Sequence, residues 1–166
     1  MDGSLAAPDR ADSQPAWSVR MADSVIKRHT PDSARWHYHH GLVWLAIQRV
    51  GRRTGSPRYL SFVKDTVDQF IDGEGGIRTY DREEYNLDQI NPGRVLFELY
   101  RATGSERYKT AIFHLRRQLA EQPRLKAGGF WHKKIYPCQM WLDGVDFLVP
   151  EPARFKARLF GQLPPQ

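Results

Sequence analysis

The chain has 166 residues, and its 25 Lys and Arg residues outnumber its 19 Asp and Glu residues, which gives a net charge of +6. This length corresponds to one domain, and 40% hydrophobic with 12% aromatic residues is enough for a core, which excludes a mostly disordered chain. The single cysteine excludes an intramolecular disulfide, and no apolar run reaches the roughly 18 residues that cross a membrane. We therefore expect a soluble, cytoplasmic protein without a membrane partner.

The first segment, residues 1–15, is polar and rich in Pro, Asp and Ser, and it lacks the apolar stretch of a signal peptide. We expect a disordered tail there and a single domain over residues 16–166. The positive charge invites comparison with nucleic-acid-binding proteins, but the basic residues form only small groups. They come without a recognition-helix, RNP or zinc-finger signature, so we expect no nucleic-acid partner.

An internal repeat is the most informative feature of the sequence. The string RRTGSPRY at 52–59 aligns without gaps on RATGSERY at 101–108, at an offset of roughly 50 residues. Gly55 and Gly104 suit the left-handed conformation that ends a helix, and the serine after each glycine suits the N-cap of the next helix. Each copy is therefore predicted to be a helix, a tight turn and a second helix.

The helices on the two sides of each turn differ in their apolar pattern. The stretches 42–50 and 95–100 are apolar almost all round, which is typical of helices covered on both sides. The stretches that begin at Tyr59 and Tyr108 carry one apolar stripe and one polar face. This alternation predicts two concentric layers, with buried inner helices and half-exposed outer helices. A solenoid of helix pairs would show a repeat as well.

The repeat continues into the loops that precede the inner helices. The motif GGI at 75–77 returns as GGF at 128–130, and the pair LD at 87–88 returns as LD at 142–143. An earlier copy begins at WHYHHG, residues 36–41. If the hairpins pack side by side, the three loops enter the inner helices from the same end. We then expect their polar side chains to converge on one pocket.

Two aspartates at equivalent repeat positions, Asp88 and Asp143, are the candidate catalytic groups. Each is also explained as an ordinary N-cap or first-turn acid of a helix, and the Asn-Pro after Asp88 offers a second helix start. Asp143 follows a Trp-His pair and a Met-Trp-Leu string, and such an apolar wall, with a second carboxylate nearby, raises a carboxyl pKa. That acid can donate a proton near neutral pH. Paired carboxylates lined by Trp and His also describe a sugar site.

The other reactive residue types give weaker signals. His37, His39 and His40 are not followed by a carboxylate at ligand spacing, and the sequence has no HExxH motif. We therefore expect these histidines to cap a helix or bind substrate, and we expect no metal. Cys138 has no partner base in the sequence, so we expect no thiol nucleophile, and the sequence has no Gly-rich phosphate loop.

Four ordered motifs resemble the unsaturated rhamnogalacturonyl hydrolases, the glycoside hydrolases of family 105. They are WHYHHG at 36–41, NLDQINPGR at 86–94, GGFWHK at 128–133 and YPCQMWLDG at 136–144. The resemblance covers roughly residues 17–160 and corresponds to the first half or less of a typical member. It implies an all-α fold, an α/α toroid of six hairpins, of which this chain forms a partial barrel of about three.

The resemblance also implies an activity and roles for site residues. The family removes 4,5-unsaturated galacturonyl residues from the rhamnogalacturonan oligosaccharides of pectin by hydrating an enol ether. The motif match makes Asp143 the general acid/base and Asp88 its companion in the pocket. The residues that match sugar-binding positions are His40, His132, Lys133 and Trp141. The resemblance implies no metal or organic cofactor.

Two alternatives to this function stay open. One is an unsaturated glucuronyl hydrolase of family 88, which uses the same chemistry on glycosaminoglycan fragments. The other is a non-catalytic helical-repeat module that binds a sugar or a protein. Because the later hairpins of the family have no counterpart in this sequence, we expect the chain to be inactive alone. We also expect it to self-associate through exposed flanks of its inner helices.

Overall fold

The computed structural model describes residues 15–29 and 33–141, and this part of the protein is helical. Its α-helices are α1 (Trp17–Arg28), α2 (Tyr38–Thr54), α3 (Pro57–Val67), α4 (Leu96–Thr103) and α5 (Glu106–Glu121). Short 3-10 segments at Arg82–Glu84, Leu87–Gln89 and Asn91–Val95 precede α4. No helix within the described residues is long and apolar enough to cross a membrane.

The helices form an inner and an outer layer, as the apolar pattern predicts. The inner helices α2 and α4 contribute fully buried side chains such as Trp44, Leu96 and Leu99. The outer helices α3 and α5 bury one stripe each, which includes Tyr59 and Tyr108, and expose their other face. The all-α class is therefore confirmed for the described residues.

One face of α2 is less covered than its sequence predicts. Leu42 is 41% exposed and Val43 is 36% exposed. Val43 lines an open groove between α1 and α2 together with Met21 and Val25. The expectation that α2 is covered on both sides is wrong at these two residues, and at Val43 the reason is that α1 leaves the groove open.

Both glycine turns adopt the predicted backbone, but their serines do not act as predicted. Gly55 and Gly104 end α2 and α4 in the left-handed region, with φ of 69° and 67°. Within the described chain, the serine after each glycine stands at the N-cap position without making a capping hydrogen bond. Its N–H donates instead to the hydroxyl of Thr54 or Thr103, at 3.3 Å and 3.2 Å. The threonine hydroxyls therefore close both turns.

Helix α1 is joined to α3, and the end of α3 is joined to α5, by the same arrangement of side chains, which we call the Asp-Arg-Tyr staple. The first staple consists of Asp23, Arg58 and Tyr59, and the second consists of Asp68, Arg107 and Tyr108. In each staple the Tyr hydroxyl and the Arg guanidinium donate to one carboxylate oxygen. The guanidinium also lies over the Tyr ring, at 4.6 Å in the first staple and 4.9 Å in the second. The repeat is therefore present in the tertiary contacts as well as in the sequence.

Candidate active site

A tight turn that occurs twice positions the loop with His132 and Lys133. In the first copy the N–H of Arg78 donates to the carbonyl of Phe70 at 2.7 Å, and in the second the N–H of Trp131 donates to that of Pro123 at 2.8 Å. Gly75 and Gly128 occupy equivalent places with φ of 90°. Because β-carbons are disfavoured at such φ values, the two Gly-Gly motifs mark the turns. The second turn sends the chain back across the end of α5.

Buried glutamines at the end of α5 hold this loop against the turn before α4. Gln118 is completely buried, and its amide donates to the carbonyl of Asn86 at 3.3 Å. The amide of Gln122 donates to the carbonyls of Tyr85 and Trp131, at 2.6 Å and 2.9 Å. Buried backbone carbonyls need such donors, because water does not reach them. The two glutamines therefore fix both loops to one helix end.

The same two loops also bond to each other through their backbones. The N–H of Leu87 donates to the carbonyl of His132 at 3.1 Å, and the N–H of Lys134 donates to the carbonyl of Glu84 at 2.9 Å. These bonds place His132 and Lys133 beside Asp88, whose own N–H donates to the side chain of Asn86. Asn86 therefore caps the short 3-10 segment Leu87–Gln89, and the carboxylate of Asp88, inside the segment, is not used for that cap.

The first motif reaches Asp88 because the start of α2 packs tightly on the turn before α4. The indole N–H of Trp36 donates to the carbonyl of Gln89 at 2.9 Å. At Gly41 a β-carbon would lie 2.7 Å from Cα of Pro92, so the two backbones touch. Only glycine permits this approach. The contact brings His37, which precedes α2, to the carboxylate of Asp88.

Three cationic or potentially cationic groups meet one oxygen of Asp88. Its Oδ2 lies 2.8 Å from Nζ of Lys133, 3.4 Å from Nε2 of His37 and 3.7 Å from Nε2 of His132. Its Oδ1 is buried without a hydrogen-bond partner among residues 15–29 and 33–141. Asp88 is 4% exposed, so this free acceptor is held in a low-dielectric environment. The carboxylate is anchored through one oxygen, and its other oxygen has no hydrogen-bond partner in the described part of the chain.

An aromatic wall borders this carboxylate. The ring of Trp141 stacks on the imidazole of His132, with centroids 4.0 Å apart and planes 9° apart, and Tyr136 stacks on Trp141 at 5.4 Å. Trp141 is 40% exposed, so one part of its ring is open to a ligand. We call His37, Asp88, His132, Lys133 and Trp141 the Asp88 cluster. It combines an anion acceptor, basic groups and a stacking surface.

The structure separates His40 from this cluster. The ring neighbours of His40 are His29, with centroids 5.9 Å apart, and Trp44, at 6.0 Å. Burial lowers the pKa of His40, and the neighbouring histidines lower it further. Asp88, His132, Lys133 and Trp141 are brought together, whereas His40 packs toward the end of α1. Asp143 lies outside the described residues.

His37 lies beside Asp88, although the motif match gave His37 no role. Burial lowers the pKa of His37, and the carboxylate of Asp88 opposes that effect. The sequence contains one signal for His37. It stands directly before α2, in a loop that the repeat predicts to lie at the site. Of the two roles expected for His37, capping does not apply, because its ring bonds no helix N–H of the described residues, and substrate binding stays a prediction.

This arrangement favours binding of an anionic, hydroxyl-bearing ligand. Lys133 attracts negative charge, the histidine rings offer hydrogen-bonding nitrogens, Oδ1 of Asp88 can accept a hydrogen bond, and Trp141 offers a ring face. Within residues 15–29 and 33–141, no three His, Cys, Asp or Glu side chains are grouped to hold a metal ion.

Comparison with known proteins adds a family to this geometry. Residues 17–158 match the family model described as Glycosyl Hydrolase Family 88. The structure is similar to a glycoside hydrolase of family 105 from C. acetobutylicum ATCC 824, with 41% sequence identity and a TM-score of 0.80. The similarity covers 88% of this chain and 40% of that one. The helices therefore form part of an α/α toroid, as expected, and the chain spans 40% of the length of the structure that it matches.

Proposed function

We propose, from the premise that the chain belongs to Glycosyl Hydrolase Family 88, that its Asp88 cluster is part of a site for 4,5-unsaturated uronyl sugars. The observation that carries the proposal is the buried carboxylate of Asp88, anchored through Oδ2 with Oδ1 free. A sugar hydroxyl or the attacking water is the natural donor to Oδ1. We propose that the site both binds such a sugar and hydrates its enol ether.

The substrate's chemistry fits the groups of the cluster. An unsaturated uronyl residue carries a carboxylate at C6 and a C4=C5 double bond, which flattens the ring. Lys133 supplies positive charge for the carboxylate, His132 supplies a ring nitrogen for hydrogen bonding, and the exposed part of Trp141 supplies a surface for the flattened ring. We therefore expect affinity to depend on the negative charge of the sugar.

The proposed reaction hydrates the enol ether. A carboxylic acid, which we assign to Asp143, gives its proton to C4, and the positive charge that develops at C5 is shared with the ring oxygen. Water adds to C5 and returns a proton to the carboxylate. The hemiketal at C5 opens to a ketone, and the hemiacetal left at C1 releases the remaining saccharide. Asp88 accepts a hydrogen bond from the water or a sugar hydroxyl during these steps.

We propose the rhamnogalacturonan fragments of pectin as the substrate class. The four motifs and the 41% identity to a family 105 structure support this class. The family 88 model favours the second candidate, unsaturated glucuronyl fragments of glycosaminoglycans. Turnover of an unsaturated galacturonyl-rhamnose disaccharide compared with that of a chondroitin-derived unsaturated disaccharide separates the two.

The test follows the ultraviolet absorbance of the conjugated double bond, which hydration removes. In a form of the protein that also carries the later hairpins, we expect Asp143→Asn to lower turnover by about a hundredfold or more, because general acid catalysis contributes that much, while the disaccharide still binds. Asp65→Asn, which alters an exposed aspartate on α3, is the control and leaves turnover unchanged.

Three outcomes distinguish the hypotheses. Full turnover by Asp143→Asn contradicts the assignment of the acid. Saturable binding without turnover, in the form that also carries the later hairpins, favours the non-catalytic binding module, and turnover by the 166-residue protein contradicts the expectation that it is inactive alone. Binding of neither disaccharide contradicts the proposed function as a whole.

A further inference from the structure

Two imidazoles link Asp88 to the protein surface. Nε2 of His37 faces Oδ2 of Asp88 at 3.4 Å, and Nδ1 of His37 lies 3.1 Å from Nδ1 of His39. The His37 and His39 rings stack, with centroids 4.9 Å apart. His39 is exposed, whereas Asp88 is buried. The ring of His37 therefore lies between the exposed His39 and the buried carboxylate of Asp88.

These contacts fit one distribution of protons on the two rings. A carboxylate oxygen only accepts hydrogen bonds, so an Nε2–H on His37 is the donor that suits its 3.4 Å contact with Oδ2 of Asp88. In a neutral imidazole the other nitrogen is then a bare acceptor, so the 3.1 Å contact between the rings is a hydrogen bond when Nδ1 of His39 carries the proton. That is the tautomer less common in free histidine.

We propose that His37 is a positioning residue that orients the Asp88 carboxylate through its Nε2–H, and that His39 fixes the tautomer of His37. The proposal rests on the proposed function, in which Oδ1 of Asp88 receives a hydrogen bond from substrate or water. A rotation of the carboxyl group would exchange its two oxygens. A donor held on Oδ2 opposes this rotation and keeps Oδ1 directed to the ligand.

Lys133 cannot supply this orientation by itself, although it is closer to Oδ2. Its ammonium group ends a flexible four-carbon chain and donates in several directions. The His37 ring has two rotatable bonds, and the extended backbone before α2 and the stacked His39 hold it in place. Lys133 therefore supplies charge, and His37 supplies direction.

The groups around His37 set the conditions under which this role holds. It faces His39 and Tyr38 on its own side, Asp88 from the turn before α4, and Lys133 from the loop after α5. Protonation of His37 turns Nδ1 into a second donor, which conflicts with the donor on Nδ1 of His39. The arrangement therefore requires a neutral His37.

The direct test reads the protonation of each ring nitrogen by long-range ¹H–¹⁵N correlation NMR of the ¹⁵N-labelled 166-residue protein at neutral pH. We expect His37 to carry its proton on Nε2 and His39 to carry its proton on Nδ1. His114, which is exposed on α5, provides the reference for an imidazole outside the site. His39→Leu should return His37 to a mixture of tautomers like that of His114.

A second measurement uses the affinity for the unsaturated galacturonyl-rhamnose disaccharide. We expect His37→Leu to weaken binding about tenfold, because the anchoring donor is lost. His37→Gln keeps an N–H donor and should bind within about threefold of the unmodified protein. His114→Gln is the matched control and should leave the affinity unchanged.

Two results overturn the inference. One is a His37 ring with a bare Nε2, or with the same tautomer mixture as His114. The other is equal weakening by His37→Leu and His37→Gln, which would show that the ring acts only by filling space. If the unmodified protein does not bind the disaccharide, the proposed function fails, and the NMR result alone decides the role of His37.

Discussion

The two ends of the helical hairpins follow different rules. At the turn end, where α2 and α4 finish, the left-handed glycines, the threonine bonds and the Asp-Arg-Tyr staples occur twice in nearly the same form. At the site end, the loops before these helices share little sequence, yet both contact Asp88 or carry it. Each hairpin must make the same turn, so the turn repeats. One site needs different groups from different loops, so the loops diverge.

The ends also differ in how they are held together. The staples are partly exposed, and Asp68 is 22% exposed at its side chain. The site end relies on contacts between backbones, such as that of Gly41 with Pro92, and on buried polar groups. We therefore expect the site end to tolerate substitution less well than the turn end.

The largest expected effect contrasts a glycine at each end. Gly41→Ala places a β-carbon 2.7 Å from Cα of Pro92 and 2.9 Å from Oδ1 of Asn91, so α2 must shift. We expect the free energy of unfolding to fall by about 2–3 kcal/mol. At Gly55 a β-carbon would meet no described atom within 4 Å, and only the left-handed backbone opposes alanine. Gly55→Ala should cost about 1 kcal/mol.

Urea denaturation of the two alanine variants measures this difference. Disaccharide binding provides a second readout, because a shift of α2 moves His37 away from Asp88. Gly41→Ala should weaken binding, and Gly55→Ala should not. Equal stability of the two variants would remove the proposed difference between the ends.

An intermediate effect concerns the second staple. Burial acts to raise the pKa of Asp68, but hydrogen bonds from Lys64, Tyr108 and Arg107 together hold it below its ordinary value. We expect Asp68→Asn to lower the free energy of unfolding by about 1 kcal/mol. Asp23→Asn in the more exposed first staple should lower it less.

A double-mutant cycle with Tyr108→Phe checks that the staple acts as a unit. The two substitutions should be non-additive, because each removes the same hydrogen bond. The measurement uses urea, since guanidinium salt would screen the charges. Additive effects would mean that the carboxylate and the hydroxyl contribute separately.

The smallest expected effect is a difference between the two ends in how their contribution to stability depends on pH. Burial lowers the pKa of His37 and His40, so the unfolded chain binds more protons than the folded one. This part of the stability is complete above the unfolded value of 6.5 and is lost as the pH falls below it. Asp68 has a lowered pKa, so its contribution persists to about pH 4 and is lost only below that.

Thermal unfolding between pH 7.5 and pH 5 should therefore show a Tm that decreases by a few degrees. We expect His40→Gln to reduce this slope and Asp68→Asn to leave it unchanged. If Asp68→Asn reduces the slope of Tm against pH and His40→Gln does not, the pH dependence arises at the turn end.

The sequence predicted most of the fold but only part of the site. The two layers and the glycine turns follow from apolar periodicity and from local backbone preferences, which a single sequence displays. The position of His37, rather than His40, beside Asp88 has a geometric cause. Successive residues at a helix start point about 100° apart, so a run of histidines gives no indication of which one faces the neighbouring loop.

The sequence by itself determined that the chain forms repeated helical hairpins and that polar loops enter the inner helices from one end. Only the tertiary structure decided that Asp23 and Asp68 complete the staples and that Oδ2 of Asp88 is anchored while Oδ1 is free. The physical reason is the separation in sequence between the groups that interact. Turns and helices depend on neighbours along the chain, whereas a buried carboxylate takes its partners from loops that are distant in sequence and meet only when the helices pack.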